Sequence, residues 1–226
     1  MNGSERAPCG KGQALHSRYR DGVRERGQQQ YQVRFGWGVS GAHRVAAGAH
    51  LIVWVDVLPA GPGTPGPDRA DHRAVRRLLP AGPEVVAGHL GNAAAIAERV
   101  TSLQAERGDR CVVAVIAAGL DHAPSGGGAA EAAGESVDVP DAPDFAVEDM
   151  LGAGAVIDAL SVVGIDHSSP EAAAACAAYT GLRRAVKHLV SASEAARGIG
   201  PERVHAALAA GPELVTIRPG EHKARA

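Results

Sequence analysis

Asp56 is the one charge in Leu51-Ile52-Val53-Trp54-Val55-Asp56-Val57-Leu58, an otherwise apolar run of strand length. A buried acid at a strand end is costly unless a cation or metal faces it, which makes Asp56 the residue most readily assigned a function. An ion pair with Arg34 or Arg44 explains it equally well. Glu148 and Asp149 form the second candidate. They fall in the first turn of a helix predicted over Phe145 to Leu160, where the positive end of the helix dipole favours each carboxylate by roughly 0.3–1 kcal/mol. Neighbouring helical residues diverge by about 100 degrees, so one acid can face a cleft while the other braces the helix start. Dipole compensation alone is the plain alternative. Gly91-Asn92 opens a helix directly after a strand, and its amides offer an anion site, though capping explains Asn92 as well. His89 beside it is the one histidine at a strand end where a phosphate could lie, and Gly119 follows a third strand.

These positions converge only if the strands are parallel, because ligands of α/β sheets sit beyond the carboxyl ends of the strands. The patterning predicts that arrangement. Strands are expected over Tyr31 to Phe35, Leu51 to Leu58, Val85 to Leu90, Cys111 to Ala117 and Leu214 to Ile217. The apolar run Leu51 to Leu58 marks a strand buried on both faces, and Cys111 to Ala117 a second buried strand. Helices are expected over Ala42 to Ala47 and Arg69 to Leu79. A further helix follows Asn92, with the stripe Ala93, Ile96, Ala97, Val100 and Leu103, and ends near Gly108. Strand, helix and strand at that spacing imply a right-handed βαβ crossover. Ser169-Pro170-Glu171 announces another helix as cap, first residue and first-turn acid. It is expected to break at Gly181 and resume through Leu182 to Leu189, and Pro201 to Ala209 adds one more. Gly152 and Gly154, each costing about 1 kcal/mol in a helix interior, point to close approach of another backbone or a ligand. Pro59 to Pro67 and Asp121 to Asp144 are expected loops, the latter long enough for a lid or binding loop. Met1 to Gln30 has the composition of a disordered tail and residues 221–226 form a short second tail, leaving one domain over 31–220.

With 226 residues, 45% of them hydrophobic, the chain can bury a real core. A formal charge of −2 with no basic run interleaved with aromatics argues against nucleic-acid binding. No stretch reaches the roughly 18 apolar residues of a membrane span, and charges and glutamines stand where a signal peptide needs an apolar core. A cytoplasmic protein is the expectation. Cys9, Cys111 and Cys176 are widely spaced and give neither a disulfide framework nor a metal motif. Gly36-Trp37-Gly38-Val39-Ser40-Gly41 matches the dinucleotide fingerprint with Asp56 downstream, but the helix after it is short and Asp56 is expected within its strand. Neither HExxH nor GxSxG occurs.

Taken in order, several segments resemble the 2-phosphosulfolactate phosphatase family. Val53-Trp54-Val55-Asp56-Val57-Leu58 is similar to its strand ending in Asp-Val-Leu. Val85 to Ala97 resembles its strand and Asn-Ala-Ala turn, and Val113 to Gly119 its next strand and Ala-Gly turn. Val147-Glu148-Asp149-Met150-Leu151-Gly152-Ala153-Gly154 resembles the Glu-Asp-Leu-x-x-Ala-Gly signature. Ser169-Pro170-Glu171-Ala172 and Arg34-Phe35-Gly36-Trp37-Gly38 also fit. The resemblance implies an α/β fold, with a mostly parallel or mixed sheet, flanking helices and two lobes around a cleft. It also implies Mg²⁺-dependent hydrolysis of 2-phosphosulfolactate to sulfolactate and phosphate. Asp56 and Glu148 would then be catalytic, Asp149 and Glu148 would hold the metal, and His89, Gly91, Asn92 and Gly119 would bind a small anionic phosphate ester. Homo-oligomerisation is left open. The chain departs from the family after Leu58, where Pro59-Ala60-Gly61-Pro62-Gly63 replaces a hydroxyl-rich segment, and Gly91 stands where the family has an arginine. An inactive relative retained for binding or scaffolding is therefore the alternative, with a dinucleotide-binding protein ranked behind it.

Overall fold

The computed structural model describes residues 27–59, 75–120 and 143–221. Five strands form one sheet: β1 (Val33–Trp37), β2 (Leu51–Val55), β3 (Glu84–Gly88), β4 (Val113–Ala117) and β5 (Val215–Arg218). Their order is β1-β4-β2-β3-β5. The first four are mutually parallel, and β5 runs antiparallel along β3. Every residue of β2, β3 and β4 is buried, as their apolar sequences require of strands covered on both faces. The protein is thus α/β with a mixed sheet.

The crossovers explain which helix covers which face. Between β1 and β2 the chain steps over β4 through α1 (Gly38–Val45), and between β3 and β4 it steps back over β2 through α2 (Ala93–Arg107). Crossovers of one hand running in opposite directions must lie on opposite faces. Accordingly Ala42 and Val45 pack with Ile52, Trp54 and Ile116, whereas Ile96, Val100 and Leu103 pack with Leu51, Val53 and Val115. The predicted βαβ unit is real, but its two strands are not neighbours.

On the α2 face lies α3 (Val147–Val162), enclosed on nearly every side, followed by α4 (Pro170–Leu182), α5 (Val186–Ala192), α6 (Glu194–Ile199) and α7 (Pro201–Leu208). Ser169 caps α4 as expected, accepting from the Ala172 amide at 3.1 Å. The chain turns at 183–185, while Gly181 stays helical. Helix α6 escapes the sequence reading because it is under two turns long; Ser193 starts it by accepting from the Ala196 amide.

Boundaries shift where backbone pairing overrides pattern. Helix α1 begins at Gly38, four residues before its expected start, and β2 ends at Val55, so Asp56 lies just beyond its strand. Gln28 falls in the expected tail, yet it is buried. Its amide donates to the Phe35 carbonyl at 2.8 Å and accepts from the Phe35 N–H at 2.9 Å, closing the free edge of β1. Most of the loops expected over Pro59 to Pro67 and Asp121 to Asp144, most of the basic helix expected from Arg69, and residues 1–26 and 222–226 of the tails lie outside the described residues; 75–78 are helical. Among the described residues there is a single sheet with helices on each face. No helix among them is long and apolar enough to cross a membrane.

Candidate functional site

The carboxylate of Asp149 joins two loops at the carboxyl end of the sheet. Its Oδ1 accepts from the Val57 N–H at 2.8 Å and its Oδ2 from the Gly119 N–H at 2.9 Å. One side chain thereby ties the segment leaving β2 to the segment leaving β4. Leaving β2, Val57 and Leu58 pack on the α2 face, and leaving β4, Ala118 packs on the α1 face. Divergence between adjacent parallel strands is the switch point at which α/β sheets open a crevice.

Local sequence makes the clamp fit. A Cβ on Gly152 would lie 2.7 Å from Val57 Cγ2 and 2.8 Å from Val55 Cγ1, so glycine lets α3 rest on the end of β2. Gly154 serves a different contact: its Cβ would meet the Ala175 carbonyl of α4. Both glycines of the helix are explained by packing. Gly119 has φ +78°, a left-handed conformation that suits glycine and aims its N–H at Asp149.

Asp56 and the adjacent pair Glu148-Asp149, two separate expectations from the sequence, meet here. Burial holds the Asp149 carboxyl well above the ordinary carboxylate range; the charges of Asp56 and Glu148 push it further, and the Val57 and Gly119 amides oppose them. Glu148 is 2% exposed and has no hydrogen-bond or ion-pair partner among the described residues. The first-turn acids are therefore not dipole compensators on a solvated face. Asp56 is half-buried rather than enclosed. Arg34 is committed elsewhere, donating to the carbonyls of Tyr31, Val45, Ala47 and Gln29. A side chain that holds together four carbonyls is structural.

At the β3–α2 turn the expectation of an open anion site is corrected. The Gly91 N–H donates to His89 Nδ1 at 3.1 Å and the Asn92 N–H to the His89 carbonyl at 3.3 Å. Asn92 occupies the cap position but makes no side-chain cap. Its Oδ1 accepts from the His89 N–H, and its Nδ2 donates to the carbonyls of Ala87 and Glu213. The turn is tied to itself and to the segment before β5. A Cβ on Gly91 would fall on the Ala210 carbonyl, so an arginine has no room there. Burial lowers the His89 pKa, partly offset by Glu213.

The glycine fingerprint is likewise filled by the chain. Gly36 and Gly41 bring β1 and α1 together, a Cβ on Gly36 lying 3.1 Å from the Gly41 carbonyl. Gly38, at φ +59°, faces Pro143, as does Gly119. Pro143 thus covers the place where the fingerprint would cradle a pyrophosphate.

Arg203 of α7 is the residue sequence reasoning left without a role. Its Nη2 donates to the Pro59 carbonyl at 2.9 Å, bringing a guanidinium to the loop that follows Asp56. No spacing motif signals it, because 144 residues separate the partners. Cys111 is buried, and burial pushes its thiol up to about 12, so it acts as a small hydrophobe. Cys176 is only half-buried.

Among the described residues no three or more His, Cys, Asp and Glu side chains form a ready metal cage. Mg²⁺ does not need one, since it is commonly held by one or two carboxylates with water and substrate phosphate. Glu148, unpartnered and beside Asp149, fits that mode. No protein-family model matches the chain, and no curated protein matches it either.

Proposed function

We propose that this protein is a Mg²⁺-dependent phosphatase acting on the phosphate ester of a sulfonated or related hydroxy acid, 2-phosphosulfolactate being the substrate suggested by the family resemblance. The observation that carries the reading is the meeting of Asp56, Glu148 and Asp149 at the switch point, where Asp149 ties the β2 and β4 exits together and its carboxyl is raised by burial and then by its acidic neighbours. Like charges gathered under cover are stabilised by a bound cation.

Glu148 and Asp149 would hold Mg²⁺, which when bound would neutralise charge on the phosphoryl oxygens. Asp149 also keeps the β2 and β4 loops in register through its two amide bonds. Asp56, at the exit of β2, orients the attacking water or attacks phosphorus itself. Arg203, anchored on Pro59, offers a cation to the ester dianion. A small anionic substrate, a cytoplasmic setting and the absence of a nucleic-acid role belong to the same reading.

The closed β3–α2 turn favours a second reading, a relative that binds without turnover. Its His89, Gly91 and Asn92 are bonded to one another, and the Ala210 carbonyl blocks a cation at position 91. Phosphate release from 2-phosphosulfolactate and related phospho-acids, with and without Mg²⁺, decides between them. Release that depends on Mg²⁺ and disappears in Glu148→Ala supports the phosphatase; none above that control supports the binding protein.

A further inference from the structure

The chain carries two Trp, three Tyr and two Phe, and Tyr31, Phe35, Trp37 and Phe145 gather at one place beside β1. Phe35 meets Trp37 edge-on with ring centroids 5.6 Å apart, and Phe145 lies 5.4 Å from Trp37 on a tilted plane. Tyr31, Phe35 and Trp37 line a cavity of about 420 Å³ that includes none of Asp56, Glu148 or Asp149. That volume lies within the range of roughly 300–1,000 Å³ common to small-molecule sites.

Two opposite charges line the same cavity. Arg44 comes from α1 and Glu171 from the first turn of α4, and both are exposed. They form no ion pair with each other, nor with any other described residue. A Cβ on Gly41 would lie 3.9 Å from Arg44 Nη2, so the guanidinium lies back over the glycine contact between α1 and β1. An added β-strand is not the occupant. Phe35 spends both backbone groups on Gln28, and Val33 spends its N–H on the His167 carbonyl and its carbonyl on the Ser169 N–H. What remains available is rings, one cation and one anion.

We infer that this cavity binds a small aromatic zwitterion, an aromatic amino acid in its free form, with Arg44 receiving the carboxylate, Glu171 the ammonium and the Tyr31 and Trp37 rings the side chain. Each end of the ligand then meets the opposite charge, and its ring meets the richest aromatic surface in the molecule.

Calorimetric titration of the full-length protein with L-tyrosine, L-phenylalanine and L-tryptophan tests this. Saturable binding is expected, and blocking either ligand end, as the N-acetyl derivative or the carboxamide, should weaken it about tenfold. Arg44→Ala should weaken the free amino acid by a similar factor and leave the carboxamide unchanged; Glu171→Gln should do the converse with the N-acetyl form. Both side chains are exposed, so the variants should fold, which circular dichroism verifies. No heat from any of the three amino acids, or binding that both variants leave intact, would overturn the assignment.

Discussion

The two ends of the sheet treat buried acids in opposite ways. At the amino end Glu84, 5% exposed, opens β3 and receives Arg99 of α2 through both Nε and Nη2, the latter at 2.8 Å. Arg99 also reaches Glu106 at 2.8 Å, and the pairing raises its own pKa. At the carboxyl end Glu148 is buried as deeply without such a partner among the described residues, and its charge adds to that of Asp56 in raising Asp149. A buried charge that only supports the fold is matched within the fold. A buried acid without such a partner among the described residues, as Glu148 is, marks a place where a ligand can supply a cation.

Substitutions on the two sides should separate these roles. Glu148→Gln should lower phosphate release about a hundredfold or more, while the urea midpoint holds or rises, since one of the repelling charges is gone. A large loss of stability together with activity would break the comparison. Arg99→Met should do the reverse, costing about 2–3 kcal/mol in urea unfolding by leaving Glu84 uncompensated and leaving catalysis near its starting level. The effect is placed below that of a fully enclosed pair because the Arg99 side chain is 25% exposed.

Asp149 gives a pH-dependent contrast of intermediate size. Its folded-state pKa lies above the ordinary value of 3.8, so in the window between them the folded chain holds a proton that the unfolded chain has released. Stability from this group is complete below the unfolded value and is lost as pH rises through the folded one. Urea midpoints of the wild type and Asp149→Asn, compared across that window, should therefore show the wild type losing ground with rising pH; a flat difference would refute the raised pKa. The smallest effect concerns His89. Burial pulls it below 6.5 and Glu213 pulls it back, so Glu213→Gln should lower its titration midpoint further in an NMR titration of the histidine ring protons.

Much of this fold was legible because burial leaves periodic marks. The apolar runs at β2, β3 and β4, the stripe of α2 and the Ser169-Pro170-Glu171 start of α4 each stand where the pattern puts them, within a few residues. Strand ends were less legible. Asp56 continues an apolar run, and only the partner strands decide that pairing stops at Val55. The β3–α2 turn misled for a related reason. Gly91-Asn92 has the residues of an anion site, but its amides donate to His89, and the segment 210–213, far along the chain, crowds Gly91 and takes a bond from Asn92 Nδ2. Gln28 is the converse, a residue in a polar tract that finds a strand edge to complete.

From sequence alone came the α/β class, the parallel order of local units, and the three acids that could do chemistry. These follow from side-chain type and spacing, which act over one element at a time. Only the tertiary structure decided that β2 lies between β3 and β4, that Asp149 faces inward to bind two loops, and that Pro143 covers the glycine fingerprint. Each of those outcomes is a contact between distant segments, set by what the folded chain can bury together.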